Sequence, residues 1–281
     1  NSLNYCQGVI EKRSTLPILS NVLLEAKNAN LKITATDLDL IFVHKIDNIE
    51  VIEEGKTTTT SSTMYDIVRK FSSGKKINLS LSETNKLKLE SEKSIFNLNC
   101  LDTSEFPLTD ENFSDNEFSL NSKQLLKLLN KCKFSVSNDE TRHYLSGIYL
   151  HQTEFEDKFY LTAVATDSHR MSISKIRLDK KIEFEPIILP KKTIFQLCSL
   201  LDNYDGDVKI SNIKSKIKFE LSDSILISKL IDGKFPNYIQ VIPKNNQKKL
   251  EIDLKLFLNS VDRVASVSLD KKDGVKFNLS K

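Results

Sequence analysis

Three consecutive residues, Asp167-Ser168-His169, are the side-chain types from which a hydrolase builds its acid, nucleophile and base. Neighbouring side chains on an extended segment point to opposite faces, so these three cannot form one hydrogen-bonded line. The sequence also lacks a G-x-S-x-G elbow, a Walker A loop and a glycine-rich dinucleotide loop, and its seven glycines leave little material for one. We therefore predict that the protein is not an enzyme.

Basic side chains recur at helical spacing. Lys123, Lys127 and Lys131 stand at i, i+4 and i+8, which places one basic stripe opposite a set of leucines. Other segments predicted to be helical carry Lys191 and Lys192, Arg69 and Lys70, and Lys255 and Arg263. For one helix alone, a solvated face is the simpler interpretation. Repetition along the chain favours a lining that contacts phosphate without reading base sequence, although the net charge is only +3.

Cysteine and histidine are too dispersed to form a metal site. Cys6, Cys100, Cys132 and Cys198 make no C-x-x-C pair, and the four histidines show no pair at ligand spacing. We therefore predict no metal and no cofactor. Most of the cysteines lie between apolar residues, which indicates buried free thiols and a reducing, cytoplasmic location.

Length and hydropathy limit the architecture. The 281 residues are 39% hydrophobic, which allows two domains, or a fragment of three, at about 100–200 residues each. No run of about 18 apolar residues occurs, so a membrane span is excluded. The first residues show neither the basic nor the apolar part of a signal peptide.

An internal repeat divides the chain. Ala35-Thr36-Asp37 recurs as Ala165-Thr166-Asp167, TLPILSNVLL resembles TRHYLSGIYL, and LNCLDTSEFP resembles ISKLIDGKFP, at spacings of about 126–132 residues. A third copy begins near residue 250. A period this long indicates domains rather than stacked solenoid units. We expect a first domain over 1–110 that lacks its N-terminal part, a complete second domain over 115–238, and the truncated start of a third over 246–281.

The complete copy has a readable order of elements. Strands are predicted at 117–120, 144–150, 159–164, 170–176, 182–188, 208–210, 216–221 and 225–230. One helix is predicted from a cap at Asn121 or Ser122 to about Phe134, and another from Pro190 to near Leu201. The predicted fold class is therefore α+β, with two helices per domain packed on antiparallel sheets.

At this point the motifs resemble a known family. TLPILSNVLL, ITATDLDL, YLTAVATDSHRMSI and KLIDGKFPNYIQVIP are similar to segments of the bacterial DNA polymerase III beta subunit, the replicative sliding clamp. The resemblance covers essentially the whole chain. It implies tandem clamp domains in a ring of two protomers, with helices lining a hole through which DNA passes and sheets on the rim. It also implies a processivity function without catalysis.

The resemblance implies positions for three kinds of contact. DNA contacts fall on Arg13, Arg142, His143, Tyr144, Lys191 and Lys192, in addition to the helix stripes. A groove for partner peptides maps onto Leu145, Thr166, Ser168, His169, Arg170, Met171, Pro236, Gln240 and Val241. The dimer interface maps onto Phe96, Leu98, Ser266 and Val267. His143 stands where the family carries Tyr, Ser168 where it more usually carries Gly, and Gln240 where it usually carries Arg.

The implied partners are double-stranded DNA, the DNA polymerase III alpha subunit, the clamp loader, other proteins with a clamp-binding motif, and a second protomer in the full-length form. Two alternatives from other classes stay open. One is a scaffold of tandem α+β domains that binds proteins and never touches DNA, which requires that the basic helix faces do not share one surface. The other is a small-molecule enzyme with its site at a domain junction, which requires converging titratable groups.

Overall fold

The structure is a computed structural model that describes residues 2–11, 15–82, 85–108, 113, 117–267 and 274–278. The chain forms two compact units, Asn1–Phe235 and Pro236–Lys281. The first unit includes nearly all of the two domains predicted over 1–110 and 115–238, and the second includes the segment predicted to begin a third.

The first unit is built from helices and antiparallel strands. Its helices are α1 (Ser2–Gln7), α2 (Ser61–Val68), α3 (Ser122–Asn130) and α4 (Lys191–Leu201). Its strands are β1 (Asn21–Lys27), β2 (Asn30–Thr36), β3 (Leu40–Ile46), β4 (Gly55–Thr60), β5 (Asn78–Leu81), β6 (Lys86–Ser91), β7 (Ser94–Asn99), β8 (Glu117–Asn121), β9 (Gly147–Phe155), β10 (Lys158–Thr166), β11 (Met171–Leu178), β12 (Ile187–Pro190), β13 (Asp207–Ile213), β14 (Lys216–Glu220) and β15 (Ser224–Lys229). Short 3-10 helices span Pro17–Ser20, Thr103–Glu105, Lys133–Ser135 and Glu140–Leu145.

The strands form three antiparallel sheets. The largest has eight strands in the order β4-β1-β2-β3-β15-β14-β13-β8, the second has the order β11-β10-β9-β12, and the third has the order β5-β6-β7. One apolar core lies between the sheets and the helices, and its largest fully buried side chains include Phe42, Phe219 and Leu129. The predicted α+β class is confirmed.

The eight-stranded sheet crosses the boundary between the two copies. β3 of the first copy pairs with β15 of the second, with Val43 opposite Ile225 and Ile41 opposite Ile227. The pairing extends past the strand ends, where the Lys229 N–H donates to the Asp39 carbonyl at 2.8 Å. Beside this joint, the Gln196 side chain on α4 donates to the Tyr5 carbonyl on α1 at 2.8 Å.

Local sequence explains the two helices of the second copy. The Asn121 side chain accepts hydrogen bonds from the N–H groups of Lys123 and Gln124, so it caps α3 as predicted. Pro190 stands at the cap position of α4, where its missing N–H costs nothing. In β14, Ile217 and Phe219 are buried and alternate with half-buried charged residues, as the period of two predicts.

Three predicted boundaries were wrong. α3 ends at Asn130 rather than near 134, because Cys132 turns into the core, with its Sγ 3.4 Å from the Ala163 carbonyl. The strand predicted at 144–150 begins at Gly147, since residues 140–145 form a 3-10 helix. The strand predicted at 182–188 is confined to Ile187–Pro190, and the Ile182 N–H instead donates to the Gln152 side chain at 2.7 Å.

The second unit carries one helix, α5 (Leu254–Ala265), after a 3-10 helix at Tyr238–Val241. The Asp253 side chain caps α5 by accepting from the Leu256 N–H at 2.9 Å. The Phe257 and Phe277 rings stack with centroids 5.3 Å apart. Apolar side chains of α5, among them Leu254, remain exposed.

Candidate nucleic-acid and peptide interfaces

The basic stripe on α3 is on the exposed face, as predicted. Lys123, Lys127 and Lys131 are exposed, whereas Leu125 and Leu128 on the opposite face are buried. The Lys123 ammonium pairs with the Asp205 carboxylate at 2.7 Å, and both side chains are exposed. Among the described residues, Lys127 and Lys131 have no ion pair. The stripe therefore keeps two cations available to an external anion.

A shallow groove of about 280 Å³ runs between α3 and β11. Its lining combines the apolar Leu128 and Ile176 with polar and basic side chains, namely Gln124, Lys127, Lys131, Ser174, Lys175 and Arg177. Sequence reasoning missed the contribution of β11. The signal was present, because basic residues at i and i+2 on a strand lie on the same face.

The basic residues of α2 and α4 differ in how far they are engaged. The Lys192 ammonium donates to the Val9 carbonyl at 2.6 Å and pairs with Asp37 at 2.5 Å, so it joins the two copies of the repeat. The Lys191 ammonium donates to the Asn138 side chain. At the end of α2, Arg69 pairs with Asp66 at 3.1 Å and lies over the Tyr65 ring.

Four further basic residues, Arg13, Lys70, Lys255 and Arg263, belong to the predicted DNA-facing set. Lys70 is exposed and has no ion pair to a described residue. Arg13 lies outside the described residues. Lys255 and Arg263 are exposed on α5.

The segment 140–145 presents Arg142, His143 and Tyr144 on an irregular 3-10 helix. Arg142 breaks the helical geometry with φ −116° and ψ 59°. Its guanidinium donates from Nε to Asp139 at 2.8 Å and from Nη1 to the Ser168 hydroxyl at 2.6 Å. The exposed His143 ring meets the half-buried Tyr144 ring edge-on, with centroids 5.9 Å apart.

The turn at 166–170 connects β10 to β11 and carries four predicted groove residues. The Thr166 hydroxyl accepts from the Ser168 N–H at 3.1 Å and donates to the Arg170 carbonyl at 2.8 Å. Asp167 Oδ1 accepts from the N–H groups of His169 and Arg170, both at 3.0 Å. Ser168 adopts φ +76°, a left-handed conformation that suits glycine better than serine.

The Asp167 carboxylate is held in its ionised form. Burial raises its pKa, but hydrogen bonds from the Arg170 and His169 N–H groups and from the Arg170 side chain outweigh this, and the net pKa is lowered. The Arg170 guanidinium lies 3.0 Å from Asp167 Oδ2 and also over the exposed Phe134 ring. Arg170, Ser168 and His169 are themselves exposed, so they can reach a peptide.

The apolar groove residues differ in burial. Leu145 is 3% exposed, and Met171, opposite Thr166 in the β10–β11 register, is half-buried. In the second unit, Pro236, Gln240 and Val241 are all exposed. The structure therefore places Thr166, Ser168, His169, Arg170 and Met171 at the start of β11, Leu145 in the core before β9, and the second-unit residues exposed on their own segment.

The residues predicted for the dimer interface lie on β7 and after α5. Phe96 is 37% exposed at the sheet edge, where its ring meets Phe71 edge-on. Leu98 is only 8% exposed and packs in the core. Ser266 and Val267 follow α5, and both are exposed.

In the part of the chain that the structure describes, the remaining reactive groups do not assemble into a catalytic site. In the turn, Asp167 contacts the main-chain N–H of His169, and Ser168 contacts Arg142. The described residues contain no group of three His, Cys, Asp or Glu side chains placed to hold a metal. Burial raises the pKa of Cys6 to about 12 and that of Cys132 to about 11. Cys198 is also buried, whereas Cys100 is partly exposed.

Comparison with protein families gives two matches in chain order. Residues 1–110 match the N-terminal domain of the DNA polymerase III beta subunit, and residues 119–237 match its central domain. The beta sliding clamp of Caulobacter vibrioides strain NA1000 is 36% identical over 278 residues, which are 98% of this chain and 74% of that protein. The beta sliding clamp of Escherichia coli strain K12 is 33% identical over 278 residues, which are 99% of this chain and 75% of that protein.

A solved structure gives the same result. The DnaN sliding clamp from Bartonella birtlesii, determined with griselimycin bound, superposes with a TM-score of 0.91 at 37% identity and covers 96% of this chain and 72% of its own. The repeated α+β domains and basic helix faces thus define a DNA clamp. The chain belongs to the DNA polymerase III beta subunit family, the beta sliding clamps. It is a non-catalytic subunit that acts in DNA replication as a sliding clamp for the polymerase. Among the described residues, no helix is long and apolar enough to cross a membrane.

Proposed function

We propose that this chain forms part of a homodimeric ring that encircles duplex DNA and tethers partner proteins through a peptide groove. The observation that carries the proposal is the sheet that crosses the repeat boundary, because the same joint can be formed again at two of the sheet edges, those of β7 and β11. The partners would be the polymerase III alpha subunit, the clamp loader and other proteins with a clamp-binding motif, in the cytoplasm.

The repeat identifies which sheet edges correspond to the two sides of the β3–β15 joint. β15 ends in the segment that resembles the end of β7, and β15 pairs with β3. The outer edge of β7 is therefore the equivalent edge in the first copy, and it has no strand partner among the described residues. An unpaired edge that carries an exposed Phe96 favours pairing with a second protomer.

The outer edge of β11 supports the division into clamp domains over 1–110, 115–238 and 246–281. β11 follows the second Thr-Asp turn as β3 follows the first, and β3 receives a strand from the next copy. By the same rule, β11 would receive a strand from a third copy. Lys175 and Arg177 on β11 have no ion pair to a described residue, so we expect carboxylates on the element that docks there.

The basic residues would bind DNA through phosphate alone. Lys127, Lys131 and Lys70 are exposed and free of ion pairs with described residues, and each phosphate contact releases counterions. Lys123, Lys191, Lys192, Arg69 and Arg142 already have internal partners, so their contacts would be weaker or water-mediated. A few such screened contacts suit a protein that must slide.

The peptide groove would use the start of β11. The half-buried Met171 supplies an apolar contact, and Arg170 and His169 supply exposed donors for carbonyl or carboxylate oxygens. Pro236, Gln240 and Val241 would complete the groove from the following segment.

A peptide titration tests the groove. A fluorescent peptide with the pattern Gln-Leu-x-Leu-Phe should bind saturably, and Met171→Lys should abolish binding. Phe155→Lys is the matched control, because Phe155 is exposed at the opposite end of the β9–β10 hairpin. Equal binding by both variants would contradict the groove assignment.

A salt titration tests DNA binding against the alternative of a scaffold that never touches DNA. Lys127→Ala combined with Lys131→Ala should reduce the slope of log affinity against log salt by about 2, since each phosphate contact contributes about 0.9. Lys32→Ala combined with Lys45→Ala is the control. It also removes two positive charges, but from opposite positions on β2 and β3 rather than from α3. An unchanged slope in the helix variant, or no DNA binding at all, would favour the scaffold.

A further inference from the structure

The segment predicted to contact DNA and the turn predicted to line the peptide groove share one guanidinium. Arg142 donates to Asp139 at 2.8 Å and to the Ser168 hydroxyl at 2.6 Å. It lies on the 3-10 helix 140–145, whereas Ser168 lies at the centre of the turn between β10 and β11. Twenty-six positions of sequence separate the two residues.

The two bonds leave donors of Arg142 unused. A guanidinium carries five N–H donors in a fixed plane, and Asp139 and Ser168 take one each. The Arg142 side chain is 39% exposed, so the remaining donors can reach an external phosphate oxygen. A phosphate and Ser168 can therefore be bound by the same guanidinium at once.

Ser168 is the residue of the turn whose side chain accepts a hydrogen bond from outside the turn. Within the turn, the Thr166 hydroxyl accepts from the N–H of Ser168 itself, and Asp167 Oδ1 accepts from the N–H of His169. The residue itself has φ +76°, a conformation that costs a non-glycine residue energy and needs support from its surroundings. The first copy offers a natural contrast, because Leu38 occupies the same place at φ +79° and has no side-chain acceptor.

We propose that Arg142 is a positioning residue that couples DNA binding to the peptide groove through Ser168. Phosphate on the free donors fixes the guanidinium plane, the fixed plane strengthens the bond to Ser168, and the turn carrying His169 and Arg170 becomes more ordered. The coupling rests on the proposed DNA contact at Arg142. By linkage, peptide binding in the ordered turn raises DNA affinity by the same factor.

Amide hydrogen exchange of residues 166–171 tests the coupling on the 281-residue chain, with a short DNA duplex at low salt as the probe. In the unmodified protein, saturating duplex should slow exchange of the His169 and Arg170 amides by about fivefold, the lower end of ordinary couplings. Ser168→Ala and Ser168→Gly should abolish this slowing, whereas Ser168→Asn should retain it, because Asn supplies an acceptor and tolerates positive φ. Anisotropy is used to bring each variant to saturation with duplex, so the comparison of exchange rates does not depend on equal DNA affinity.

The outcomes separate two kinds of failure. If the duplex slows exchange equally in Ser168→Ala, it shields the turn directly and the coupling is wrong. Intact DNA binding with no slowing in the unmodified protein also overturns the coupling while leaving the proposed function standing. Absence of DNA binding, measured separately by anisotropy, overturns the proposed function and the coupling with it.

Discussion

Two turns of nearly the same sequence and backbone serve different ends in this molecule. In the first copy, Asp37 Oδ1 accepts from the N–H groups of Asp39 and Leu40, and Leu38 has φ +79°. In the second copy, Asp167 Oδ1 accepts in the same way from the N–H groups of His169 and Arg170, and Ser168 matches Leu38. The backbone of the turn is therefore set by the Thr-Asp pair in both copies.

The second carboxylate oxygen makes the difference. Asp37 Oδ2 binds Lys192 of the other copy, and the Asp37 side chain is only 6% exposed. Asp167 Oδ2 binds Arg170 within its own turn, and its side chain is 23% exposed. Leu40 at the end of the first turn is buried, whereas Arg170 at the same place in the second is exposed. One turn thus becomes a closed joint, and the other leaves Ser168, His169 and Arg170 exposed.

The largest effect should come from removing the two carboxylates. Asp37→Ala should lower the free energy of unfolding by about 3 kcal/mol, because it removes the charged partner of Lys192 and leaves two N–H groups without their acceptor. Asp167→Ala should cost only about 1 kcal/mol, since water can replace the acceptor in an exposed turn. Urea denaturation of both variants measures the difference, and equal losses would contradict the distinction between joint and open turn.

The next largest effect is a loss of folding stability at acidic pH. His44 sits in the joint, with its Nδ1 2.8 Å from the Ser224 hydroxyl, and burial lowers its pKa although Asp223 acts in the opposite direction. The unfolded chain then takes up the proton more readily, so stability is present above the ordinary value of 6.5 and is lost as the pH falls below it. The slope from this residue is at most about 1.4 kcal/mol per pH unit.

The second copy supplies the control for this residue. Ser174 occupies the place of His44 in the repeat, so His44→Ser should remove that part of the pH dependence. Burial also lowers the pKa of His151, but that residue is common to both proteins and cancels in the comparison. Urea denaturation at pH 7.5 and 5.5 measures the change. If the unmodified protein and His44→Ser lose the same free energy of unfolding between pH 7.5 and 5.5, His44 does not contribute to the pH dependence.

A smaller effect should follow from glycine at the positive-φ positions. Leu38→Gly should stabilise the protein by about 0.5 kcal/mol, because relief of left-handed strain exceeds the added entropy of the unfolded chain. Ser168→Gly should gain less, since it also loses the bond to Arg142. Thermal denaturation of the two variants ranks them. A larger gain at position 168 would mean that this bond contributes nothing to stability.

The smallest effect is expected at a surface ion pair. Lys123→Ala should change the free energy of unfolding by no more than about 0.5 kcal/mol, because Lys123 and Asp205 are both well exposed. Lys192→Ala, measured in the same urea series, should cost several times more, since it strands the buried Asp37 carboxylate. Similar values for the two lysines would remove the basis for treating Lys192 as part of the joint.

Local patterns predicted the elements better than their ends. The helix expected from Pro190 to Leu201 is found at Lys191–Leu201, because proline and a regular apolar face act within the segment itself. The strand expected at 182–188 depended on which residues could pair with β9, and only Ile187–Pro190 do so. Pairing with a distant strand is not encoded in the period of a short apolar run.

The site residues show the same contrast between features set by local sequence and features set by distant partners. The exposed lysines of α3 followed from helical spacing, but the partner of Lys192 lies 155 positions away and could not be read from its neighbours. The hydrogen bond from Arg142 to Ser168 likewise could not be predicted, because it forms only when the fold brings two separate segments side by side. The family resemblance predicts which residues belong to the site, and the structure adds the contacts of those that it describes.

The strand pairing across the repeat boundary also decides how the joint responds to force. Five residue pairs hold β3 against β15, and their hydrogen bonds run perpendicular to the strands. Sliding one copy along the strand direction loads all five pairs at once, whereas prying from one end loads them one after another. The joint should therefore resist shear strongly and yield to peeling, and tension directed along the strands is the load under which it would hold longest.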